Sequence, residues 1–118
     1  MNDLFAPTPV GMRFGIPDFL DQDVAGLNKK YMGFYDRIAG LYRLANIVTG
    51  PSIKRQAPVM FRPLAPRAGE RVLETSVGEG DWFRWFHRVA PGARLYGADL
   101  SWGMLRVCQR NLRRWGIR

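Results

Sequence analysis

The chain has 118 residues, 47% of them apolar, and a formal net charge of +8 from 18 lysines and arginines against 10 acids. That is enough apolar side chain for one small domain with a modest core, and it excludes a disordered composition. The one cysteine, Cys108, excludes an intrachain disulfide, which makes a reducing, cytoplasmic setting the simpler expectation, and no apolar run approaches the roughly 20 residues of a membrane span.

The chain opens on Met1-Asn2-Asp3-Leu4-Phe5-Ala6-Pro7, with an acid and an early proline where a secretory signal would carry basic and then apolar residues. Residues 1–23 are expected to form an irregular arm, because Pro7, Pro9, Gly11, Gly15 and Pro17 punctuate it without period. Phe5, Met12, Phe14 and Ile16 either pack on a neighbouring surface or belong to a disordered terminus. Residues 24–65 are expected to be a helical region, which the resemblance described below makes a lid. Its apolar stripe runs through Val24, Leu27, Tyr31, Phe34, Tyr35, Ile38, Leu41, Tyr42, Ala45 and Val48 at helical spacing. Gly50-Pro51 should end that helix, since proline lacks the amide donor and disfavours helix in the residue before it. A second helix is expected from Ser52 as N-cap, kinked or delayed by Pro58 and stopped by Pro63 and Pro66, with Pro66-Arg67-Ala68-Gly69 as a turn.

The chemistry is expected in residues 66–118. Val72-Leu73-Glu74-Thr75 has the pattern of a short buried strand that delivers Glu74 to its end, and Ser76-Val77-Gly78-Glu79-Gly80 follows as a glycine-containing turn. Asp81 to Val89 should be a helix. Trp82, Phe83, Trp85, Phe86 and Val89 make its apolar face too wide for a two-stranded sheet, so some of them must meet another element or another chain. After a turn at Pro91-Gly92, Leu95-Tyr96-Gly97-Ala98-Asp99 repeats the strand that ends in an acid, nineteen positions past Gly80. That distance suits a ribose-binding carboxylate in a strand-helix-strand unit. Ser101 is a good N-cap for a last helix with Met104, Leu105, Cys108, Leu112 and Trp115 on one side and Arg106, Arg110, Arg113 and Arg114 on the other.

Three ordered stretches resemble the class I S-adenosylmethionine-dependent methyltransferases, most closely the ubiquinone/menaquinone C-methyltransferase-like group. Glu74-Thr75-Ser76-Val77-Gly78-Glu79-Gly80 is similar to that family's first motif, an acid followed by a G-x-G-x-G loop. Leu95 to Leu105 is similar to its second-strand signature, and Tyr35-Asp36-Arg37-Ile38-Ala39-Gly40-Leu41-Tyr42 to the helix ahead of the core domain. The likeness runs from about Tyr31 to the end of the chain. It implies an α/β Rossmann-like methyltransferase fold, represented by N-terminal helices and an incomplete parallel sheet in the order β-α-β-α. By the same resemblance S-adenosyl-L-methionine is the cofactor, with Glu74, Ser76, Gly78, Gly80, Asp99, Leu100, Met104, Tyr35 and Tyr42 around it.

The chain departs from the family at Ser76, where a first glycine is usual, and at Arg43, where an acid often follows the tyrosine. It also stops where a third strand would begin, so the N-terminal half of such a domain is expected, its sheet completed by another chain or by self-association. A dinucleotide reading would put Phe83 at the last glycine of G-x-G-x-x-G, where its bulk obstructs helix-to-strand packing. No Walker loop or zinc spacing of Cys and His is present. His87 has no partner acid placed by the local sequence, and no catalytic base is identified. The arginine excess leaves three alternatives beside a solvated basic surface: nucleic acid, peripheral contact with an acidic membrane face, or docking as an inactive accessory or scaffold subunit.

Overall fold

The computed structural model describes residues 8–20, 22–64 and 66–117. Its elements are a β-hairpin of β1 (Gly11–Arg13) and β2 (Ile16–Asp18), a long helix α1 (Gln22–Phe61), then β3 (Arg71–Thr75), α2 (Asp81–Val89), β4 (Arg94–Ala98) and α3 (Trp102–Trp115). The strands form a two-stranded antiparallel sheet and a two-stranded parallel one. The molecule is thus mixed α/β, with a small parallel sheet and helices.

In the parallel pair Val72 lies opposite Leu95 and Glu74 opposite Gly97, so these four residues share one face. That face carries the core. Val77, Phe83 and Cys108 are buried, with Leu95, Leu105 and Leu112 packed against them. Gly97 is needed there because a Cβ would fall 2.9 Å from both Phe83 Cζ and Val77 Cγ2. The other face holds Leu73 and Tyr96 side by side, and Leu73 is exposed.

The wide apolar face of α2 resolves as a gradient. Phe83 and Phe86 are buried, Trp82 and Trp85 half-buried, and Val89 exposed. In α3 the expected division holds: Met104 and Cys108 are buried, whereas Arg106, Arg110, Arg113 and Arg114 are exposed. Three described basic side chains lie on rings, Arg13 5.0 Å from the Trp102 centroid, Arg84 5.2 Å from that of Trp115 and Arg106 4.6 Å from that of Phe14.

The N-terminal region differs from expectation in two respects. Within residues 1–23, expected to be irregular, Gly11–Asp18 forms the hairpin, closed by Phe14 (φ 55°) and Gly15 (φ 75°). Two consecutive positive-φ residues match the twist a two-residue hairpin turn requires, and the scattered glycines and prolines masked that signal. Phe14 then packs edge-on against Trp102, with ring centroids 6.5 Å apart. Phe5 lies outside the described residues.

The second difference is that Gly50-Pro51 does not end a helix and Ser52 does not start one, since α1 continues to Phe61. A straight helix of 40 residues would run about 60 Å, against a longest molecular extent of 38 Å, so α1 bends along its length. Pro51 and Pro58 each remove one helical hydrogen bond, which gives a bend a local cause without ending the helix. A short 3-10 turn (Arg62–Leu64) then closes the helical region.

Candidate functional site

The site is built where β3 and β4 end side by side. Beyond β3 the chain turns through Ser76 (φ 58°), Gly78 (φ 53°) and Gly80 (φ 82°) before α2 begins. Val77 N–H donates to the Ala98 carbonyl at 3.0 Å, which keeps the turn against the end of β4. Ser76 adopts a left-handed conformation that glycine takes without steric penalty. The cost is about 1–2 kcal/mol, held by the surrounding turn.

Asp99, just past β4, reaches back to this turn. Its Oδ2 accepts from Gly78 N–H and its Oδ1 from Ser101 N–H, both at 2.9 Å. Two backbone donors orient the carboxylate, and because it has about four acceptor positions, each oxygen retains a lone pair for a further donor. Glu74, one strand away, has an Oε2 that is buried without a hydrogen-bond partner. Burial first, and then the charges of Asp81 and Asp99, raise its carboxyl from the ordinary 4.5 to about 7. An orphaned carboxylate oxygen beside two other acids fits a cationic group.

A cavity of about 620 Å³ opens at this end of the sheet. Ser76, Asp99 and Leu100 line it from the strand ends, and Ile16 and Phe19 from the N-terminal segment, with Trp102 at the start of α3. The hairpin segment was not among the residues expected at the site. Its contribution comes from packing on Trp102, a contact between residues distant in sequence.

The residues expected around a cofactor therefore separate into groups. Ser76, Asp99 and Leu100 border the cavity. Glu74 and Gly78 sit directly behind, through the electrostatic coupling and hydrogen bond just described, and space is open beside the Gly78 Cα. Gly80 faces inward instead: a Cβ there would lie 2.8 Å from Cys108 Sγ. Its absent side chain lets α2 and α3 pack. Met104 is 3% exposed and belongs to the core. Tyr35 and Tyr42 stack edge-to-face on each other at 6.4 Å and do not line the cavity. Cys108 is a core thiol, pushed up to about 12 by burial and then by Glu74 and Asp99.

Sequence reasoning assigned no role to Asp36, although it lies inside the lid-helix stretch. Its Oδ1 accepts from Ser101 Oγ at 2.6 Å and from Gly103 N–H at 2.7 Å. Ser101 Oγ in turn accepts from Met104 N–H at 3.1 Å, so the expected N-cap of α3 is present and α1 is tied to it. The available signal was an acid beside a tyrosine on a helix, which by itself names no partner.

The chain is similar to the S-adenosylmethionine-dependent methyltransferases of the ubiquinone/menaquinone C-methyltransferase-like group, as the three motif stretches implied. The relative that carries this likeness is the ubiquinone/menaquinone biosynthesis C-methyltransferase UbiE of Paracoccus denitrificans (strain Pd 1222). It is 34% identical over 99 residues, which cover 82% of this chain and 38% of the relative. The chain thus spans well under half of that enzyme's length. No family model matches the chain, and no solved structure matches it.

Proposed function

We propose that this chain is the cofactor-binding half of a methyltransferase, with S-adenosyl-L-methionine seated at the carboxyl ends of β3 and β4 and a Rossmann-like sheet as its framework. The observation that carries this is Asp99: a carboxylate held by the Gly78 and Ser101 amides, on the wall of a cavity, at the end of the second of two parallel strands. Asp99 would accept the ribose hydroxyls, and Gly78 would allow the nucleoside close to the backbone. The orphaned Glu74 oxygen would meet the cationic methionine end, so that binding below about pH 7 releases a proton. When bound, the cofactor supplies a methyl group on a sulfonium, which leaves in an in-line displacement. The chain's own contribution is to hold that group in register and exclude water, with Ile16, Phe19 and Trp102 as the apolar side of the cavity.

Isothermal titration of the full chain with S-adenosylmethionine and S-adenosylhomocysteine tests this. Binding is expected for both, and Asp99→Ala should weaken it by about 1.5–3 kcal/mol, the worth of a charged hydrogen-bonding group. No heat at millimolar ligand would instead support a second proposal, an accessory subunit that docks through its surface. The exposed Leu73, on the sheet face away from the core, favours that alternative.

A further inference from the structure

We propose that Asp36 is a positioning residue for the cofactor loop, so that the docking of α1 and the geometry of the Asp99–Gly78 latch are one coupled event. The proposal rests on the cofactor reading for its ligand, but its geometry stands without it.

The hydrogen bonds form one continuous path across the molecule. Asp36 Oδ1 accepts from Ser101 Oγ and Gly103 N–H, Ser101 N–H donates to Asp99 Oδ1, and Asp99 Oδ2 accepts from Gly78 N–H. Each bond is 2.6–2.9 Å long, and Ser101 is 1% exposed. Five residues on three different segments are therefore held in one polar network, where the loss of one member is felt by the next.

The chemistry of Ser101 gives Asp36 a specific task. A serine hydroxyl has one proton and two lone pairs. Here the proton goes to Asp36 and a lone pair receives Met104 N–H, so the hydroxyl both caps α3 and leaves Asp99 alone. Without Asp36 that proton is released, and the nearby Asp99 carboxylate is an acceptor for it. A lone pair that would take a ligand hydroxyl is then consumed, and the carboxylate, drawn toward Ser101, holds the Gly78 amide less well.

Packing at the same point is close enough to make the coupling mechanical as well. A Cβ on Gly103 would lie 2.9 Å from Asp36 Cα and 3.1 Å from Ala39 Cβ, and Ala39 is 4% exposed. Helix α1 thus meets the start of α3 backbone to backbone, with no long side chain between to absorb movement. Displacement of α1 must displace Asp36, and through it Ser101.

Hydrogen exchange of the Gly78 amide in the full ligand-free chain reads the latch directly, and titration with S-adenosylhomocysteine reads its consequence. Asp36→Ala should raise Gly78 exchange about tenfold and weaken the ligand by a similar factor, and Asp36→Asn should do less, because a neutral oxygen is a weaker acceptor. Gly103→Ala, which changes no hydrogen-bonding group, should loosen Gly78 in the same way. In Ser101→Ala the further change of Asp36 to Ala should add nothing, whereas independent structural roles would add. Unchanged Gly78 exchange in Asp36→Ala overturns the proposal, as does additivity with Ser101→Ala, or unchanged affinity where the parent chain binds. If Asp36→Ala loses its helical signal, Asp36→Asn and Gly103→Ala carry the same exchange test. A parent chain that binds nothing defeats the cofactor reading alone, and the exchange results still decide on Asp36.

Discussion

The segment from β3 to α3 and the long helix α1 carry similar amounts of apolar side chain, and the described side chains of the two are placed in opposite ways. In the first, Val77, Phe83, Phe86, Met104 and Cys108 are buried, and Val77, Phe83 and Cys108 form one cluster. In α1, Leu41 and Leu44 are 68% and 67% exposed, and among its described side chains Ala39 is the buried one. The strand-helix-strand-helix segment has a core of its own. Helix α1 is held where two small residues, Ala39 and Gly103, let backbones meet and Asp36 closes the hydrogen bonds. Apolar content therefore does not report where this molecule is held together; contact geometry does.

Substitutions should separate the two regions sharply. Phe83→Ala removes the ring at the centre of the core and should cost about 3–5 kcal/mol, measured by urea denaturation of the full chain. Gly80→Ala puts a Cβ against Cys108 Sγ in a left-handed conformation, and the same measurement should show a loss of about 2–4 kcal/mol.

A third prediction concerns pH. The folded carboxyl of Glu74 lies near 7 against an ordinary 4.5, so its contribution to stability is complete below about pH 4.5 and is lost as pH rises to about 7. Denaturation at pH 5 and pH 7.5 should differ by about 1–2 kcal/mol from this group, allowing for its partial contact with water, and Glu74→Gln should flatten the difference. At the small end, Leu41→Ala on the exposed side of α1 should shift stability by less than about 0.5 kcal/mol. A loss near that of Phe83→Ala would mean that this face of α1 is covered in solution, and the contrast between the regions would fail.

The legible parts of the fold were those fixed by local rules. The strands ending at Glu74 and Asp99, the helix from Asp81 and the Ser101 cap were readable because alternation, glycine turns and capping residues act within a few positions. The stop at Pro51 was misjudged: a proline costs a helix one hydrogen bond, and a helix that continues on both sides can bear the loss. At the site, the sequence brought Glu74, Gly78 and Asp99 into one neighbourhood by their spacing in a strand-helix-strand unit. It could not distinguish Gly80, a packing glycine, from Gly78, beside which space is open, because both are glycines in one turn.

By itself, then, the sequence determined the order of elements from β3 onward and the acid that ends each strand, since each depends on interactions between near neighbours along the chain. Tertiary structure alone decided that the N-terminal hairpin walls the cavity through Phe14 on Trp102, and that Asp36 reaches Ser101 across 65 positions. Such contacts depend on how whole elements are brought together in space, and no local pattern of residues encodes that distance.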